Sequence, residues 1–142
     1  MTNKSIEDYI SNLSGDVLRD DVAEAITALN KLGINKGSDF WEFYVKYQGP
    51  FISPRDKPEL LDLIGPEIPA ILDQTEYVKD RYEIGEEFLA ITSDESEGMY
   101  LYSISKGDVY DLDISDLKDF LNGKLAPRWG DFGSFLIWYF KL

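Results

Sequence analysis

Residues 86–113 read EEFLAITSDESEGMYLYSISKGDVYDLD, and this stretch decides the fold. From Glu87 the apolar period is two. Residues 88–92 read as a strand, a polar loop occupies 93–98, and residues 99–104 read as a second strand. Tyr100 and Tyr102 fall on one face of that second strand, and Met99, Leu101 and Ser103 on the other. Ser105-Lys106-Gly107-Asp108 has the composition of a hairpin turn, with a glycine available for positive φ. Residues 109–112 complete a meander of at least three adjacent antiparallel strands.

On the N-terminal side of the meander the period becomes helical. Ile6, Tyr9, Ile10 and Leu13 predict a first helix, broken at Ser14-Gly15. Leu18, Val22, Ile26 and Leu29 predict a second, ending near Gly33, with Asp20, Asp21 and Glu24 as its wet face. A third helix starts at Ser38 or Asp39, where Asp39 and Glu42 have capping-box spacing. Phe40, Phe43, Tyr44 and Tyr47 share its apolar face, Trp41 lies beside them, and Gly49-Pro50 ends it.

The middle of the chain is less regular. Residues 51–53 read as a short strand and 54–58 as a turn, while 59–64 fits strand or helix. Residues 71–82 begin as helix, but Thr75 and Tyr77-Val78 favour extended structure. Beyond the meander, Ser115 is placed to cap a short helix through Leu121, which Asn122-Gly123 stops. Trp129, Phe132, Phe135, Leu136, Tyr139 and Phe140 then recur at helical intervals and predict a closing helix. The expected fold is a single α+β domain over residues 1–142. It has a mostly antiparallel sheet with helices packed against it, N-terminal helices and a C-terminal aromatic helix.

Composition limits the chemistry. With 142 residues and 44% hydrophobic content the chain can form one independent core. It contains no histidine and no cysteine, so histidine triads, Cys–His pairs, zinc–thiolate sites and disulfides are all excluded. No Walker A loop occurs, and no GxGxxG precedes a helix. Asp108, Asp111, Asp113 and Asp116 lack the glycine turn and twelfth-position glutamate of an EF-hand loop. No catalytic residue, metal ligand or cofactor is assigned. The absence of cysteine, of a long apolar run and of a basic leader predicts a cytoplasmic protein.

The net charge is −13. Residues 76–119 hold thirteen acids against four bases, more than their share of the excess. No basic patch is visible along the sequence, so neither nucleic acid nor an anionic membrane is an expected partner. A basic protein is, with Asp94, Glu95, Glu97, Asp108, Asp111 and Asp113 as candidate contacts. Trp138 lies off the main stripe of the last helix and is a candidate interface anchor.

Three blocks of this sequence resemble the SUKH superfamily, which includes the yeast cell-wall-assembly regulator and many bacterial immunity proteins. The first runs from Asp39-Phe40-Trp41-Glu42-Phe43-Tyr44 to Tyr47-Gln48-Gly49. The second is Phe88-Leu89-Ala90-Ile91-Thr92, the acidic loop to Gly98, Tyr100-Leu101-Tyr102 and Gly107-Asp108-Val109-Tyr110. The third is Trp129 with Phe132, Phe135 and Leu136. The chain departs from many relatives at Asn35-Lys36-Gly37, where they have Leu-Pro, and at Thr92, where they have glycine. The resemblance implies an α+β scaffold and a non-catalytic role, binding and neutralising a cognate toxin. Its eukaryotic branch suggests the alternative, a regulatory protein–protein scaffold. A carboxylate-dependent hydrolase or small-ligand binder is the remaining alternative.

Overall fold

The period-two stretch folds as its alternation dictates. In the computed structural model, which describes residues 3–13, 15 and 17–142, β1 (Phe88–Ala90), β2 (Gly98–Ser103) and β3 (Val109–Asp113) form an antiparallel sheet in that order. Phe88 pairs with Ser103, and β2 runs against β3 from Gly98↔Asp113 to Tyr102↔Val109. Gly107 turns the hairpin at φ 77°, a left-handed conformation that suits a residue without Cβ.

Both faces of β2 are buried, which explains why it is apolar or aromatic along almost its whole length. Tyr100 and Tyr102 enter the larger core, while Met99 and Leu101 enter a smaller one. The larger core is built by α1 (Lys4–Ser11), α2 (Val22–Leu32), α3 (Asp39–Lys46) and α6 (Phe132–Tyr139). The smaller core lies beneath α4 (Ile71–Tyr82) and α5 (Leu117–Leu121), around Val78, Leu112 and Phe120. The chain is therefore a single α+β domain whose sheet carries helices on both faces, as a sheet with two apolar faces requires.

The third and last helices bind the larger core through aromatic rings. Phe40 stacks on Tyr102 at 4.3 Å and meets Phe132 edge-on at 4.9 Å. The hydroxyls carried into this core find acceptors. Tyr44 donates to Leu61 O at 2.9 Å, and Tyr139 to Pro58 O at 2.7 Å. Burial raises the pKa of both phenols well above the ordinary tyrosine value.

Several local expectations are corrected. Leu18 does not belong to the second helix: it bridges Tyr47 and is 58% exposed, and the buried positions of α2 are Ala25 and Leu29. Arg19 is the cause. Its buried guanidinium donates to Tyr44 O at 2.6 Å and Tyr47 O at 3.0 Å and pairs with Asp62 and Asp21. Meeting these acceptors holds the backbone extended beside α3, where Arg19 N donates to Lys46 O. Ser14, expected to break the first helix, lies outside the described residues.

Residues 71–82 are helical throughout despite Thr75, Tyr77 and Val78. Packing overrides propensity here, because Val78 is buried and the Thr75 hydroxyl accepts from Ala90 N of edge strand β1 at 3.0 Å. The expected strand at 51–53 contracts to a single bridge between Phe51 and Leu60, and Leu60 also bridges Thr92. The ambiguous stretch 59–64 is not a helix: it pairs at Leu60 and bends from Leu63. The cap after β3 is Asp113, not Ser115: its carboxylate accepts from Ser115 N at 2.9 Å and opens a 3-10 turn, Ile114–Asp116, ahead of α5. Trp129 precedes the last helix instead of lying in it. Among the described residues no helix is long and apolar enough to cross a membrane.

Candidate functional site

The loop at residues 93–97 is held at both ends. On one side the buried Thr92 hydroxyl accepts from Tyr100 N at 3.2 Å. On the other, Glu97 takes a left-handed φ of 59° and its carbonyl accepts from Ile114 N at 3.0 Å. Gly98 follows because a Cβ there would meet Leu112 O at 2.9 Å. The loop therefore presents its side chains from a fixed frame at one end of the sheet.

Within it the acids divide. Asp94 turns inward towards α4, accepting from the Tyr82 hydroxyl at 2.5 Å and from Gln74 Nε2 at 3.5 Å. Burial first, and then the hydrogen bond to Asp94, raises the pKa of Tyr82. Glu95 and Glu97 are exposed. Together with Asp113, these acids line a cleft of about 540 Å³ whose other wall carries Arg81 and Tyr82. On the far side of Asp94 and Glu95 a second recess of about 310 Å³ reaches Gln74 and Tyr77 of α4.

The remaining candidates are arranged differently. Asp113 contributes its carboxylate to the Ser115 turn, and that backbone hydrogen bond, followed by the Ser115 hydroxyl, lowers its pKa. Asp111 lies on β3 opposite Tyr100 and is ion-paired with Arg128 at 2.7 Å. Asp108 is not part of the group. It sits in the β2–β3 turn at the other end of the sheet, five residues or roughly 17 Å along the strand from Asp113. Its Oδ1 is buried, with no hydrogen-bond partner among the described residues.

Trp138 is half-buried, and its surroundings are basic rather than acidic. Arg128 and Arg55 lie over its ring at 4.6 and 4.9 Å, and the Lys57 ammonium is 6.0 Å from its centre. Trp129 and Tyr100 flank the indole at 4.9 and 5.9 Å. Sequence reading missed this cluster because Arg55 and Arg128 are far apart in the chain and meet only where two loops dock on α6. A short recess of about 150 Å³ joins Lys57 to Glu97, Tyr100, Asp111 and Asp113. The acidic end and the Trp138 cluster are therefore neighbours.

The arrangement suits binding. Among the described residues no three acids converge to hold a metal ion. The acids of the cleft are exposed, hydrogen-bonded to tyrosine or engaged in a turn, an arrangement open to a charged contact. No protein-family model matches the chain, and no curated protein matches it.

Proposed function

We propose that this protein is a SUKH-like, non-catalytic immunity protein that binds a basic toxin domain through the acidic end of its sheet. The observation that carries this reading is the gathering of Asp94, Glu95, Glu97 and Asp113 around one cleft, with Glu95 and Glu97 exposed on a loop anchored at both ends. Exposed acids facing a basic partner accelerate encounter and fix its orientation. Against a toxin that acts on nucleic acid, the same carboxylates occupy the surface that substrate phosphates use. The anchored loop limits the ordering cost of the contact.

The test is capture from the native host with the wild-type protein and with Glu95→Gln/Glu97→Gln. The expected result is a basic protein retained by the wild type and lost from the double variant, with a toxin gene beside this one. An acidic partner, or equal retention by both proteins, overturns the proposal.

A further inference from the structure

Around Trp138 the molecule assembles a patch of the opposite sign to its net charge. The residues arrive on separate elements. Arg55 comes from the turn after Phe51, which is pinned to α6 by the Ser53 hydroxyl donating to Tyr139 O at 2.5 Å. Arg128 comes from the segment before α6, tied to β3 by Arg128 N and Trp129 N donating to Val109 O at 3.0 and 3.1 Å. Trp138 is in the last turn of α6 itself.

The cations are aimed as well as gathered. Arg55 gives its Nε to Trp138 O at 2.5 Å, and its terminal amino groups make no further hydrogen bond among the described residues. Arg128 gives Nη1 to Asp111, keeping its Nε and Nη2 for other acceptors. Neither Arg55 nor Lys57 forms an ion pair with a carboxylate among the described residues. All three cations lie within 6.0 Å of one ring centre, inside the Debye length of about 8 Å at physiological ionic strength. An anion beside that ring is attracted chiefly by Arg55 and Lys57, with Arg128, whose charge Asp111 shares, adding to them. Forked guanidinium groups stacked on aromatic rings match carboxylate geometry, and Trp, Tyr and Arg are the residues that dominate interface energetics.

We infer that the Arg55–Lys57–Arg128 cluster around Trp138 is a second docking point, which receives a carboxylate-bearing segment of a protein partner. The acidic neighbours decide between anions. Asp111, Glu97 and Asp113 border the recess that contains Lys57, so a long polyanion such as nucleic acid meets repulsion where a one- or two-carboxylate segment does not. The inference goes beyond the acidic-end proposal, and its test uses different residues.

The test is NMR of the Trp138 indole N–H, assigned with Trp138→Phe, during titration with a capped peptide holding two adjacent glutamates. A saturable shift is expected, with Kd raised about tenfold by Lys57→Glu. That variant breaks no hydrogen bond among the described residues, whereas Arg55→Gln also removes the contact to the end of α6. Oligothymidylate is expected to bind about tenfold more weakly than the peptide. Absence of saturation, an unchanged Kd in Lys57→Glu, or oligothymidylate binding as tight as the peptide overturns the inference.

Discussion

Asp94 and Glu95 are adjacent in the chain, yet their carboxylates do different work. Asp94 anchors the loop to α4 through Tyr82 and Gln74, while Glu95 stands in solvent. Asp94→Asn weakens a charge-assisted hydrogen bond at a half-buried site and should cost about 0.5–1.5 kcal/mol. Glu95→Gln should stay within about 0.5 kcal/mol of wild type. Urea midpoints of the two variants check the contrast. Asp113 offers a second measurement. Its pKa is depressed by the bonds to Ser115, so its capping contribution is present above the unfolded value of 3.8 and fades as pH falls through the lower folded value. Carboxyl NMR should place its titration midpoint below that of a model aspartate. Neither role is legible in the sequence, because an acid at a loop looks the same whether it faces a tyrosine or water.

Arg19 and Asp62 decide how the N-terminal helices join the rest. Their buried pair fastens the start of α2 to the end of α3 and to the crossing at Leu60–Leu63. Asp62→Ala leaves the buried Arg19 guanidinium with only the more exposed Asp21 as counter-charge, and should cost about 3 kcal/mol, the low end for a broken buried pair, by equilibrium unfolding. Phe135→Ala should lower stability by about 3–5 kcal/mol, because Phe135 is wholly buried in the main helix of the closing layer. The three strands, the aromatic face of α3 and the burial of Phe132, Phe135 and Leu136 were all legible, since each rests on a repeating apolar pattern; Trp129 is buried as expected, but from the segment before α6. α4 was less so. Its β-branched residues favour extended structure locally, and only the packing of Val78 and the bond from Thr75 to β1 reverse that preference. Leu18 misled for the converse reason: its helical spacing was real, but the acceptors of Arg19 lie elsewhere.

At the scale of the whole molecule, an acidic cluster and a cationic cluster lie side by side. The acidic end follows from a run of acids along the chain, so it could be read before folding. The Arg55–Lys57–Arg128 cluster could not, because Arg128 is separated from the other two by some seventy residues and meets them only in the tertiary structure. A partner with a basic surface and a nearby carboxylate matches both regions at once. The most direct test is the association rate of the captured partner against ionic strength, for wild type and Glu95→Gln/Glu97→Gln. The wild type should associate faster at low salt and slow steeply as salt rises, and the double variant should be slower with a flatter slope. Identical slopes for the two proteins would contradict docking through the acidic end.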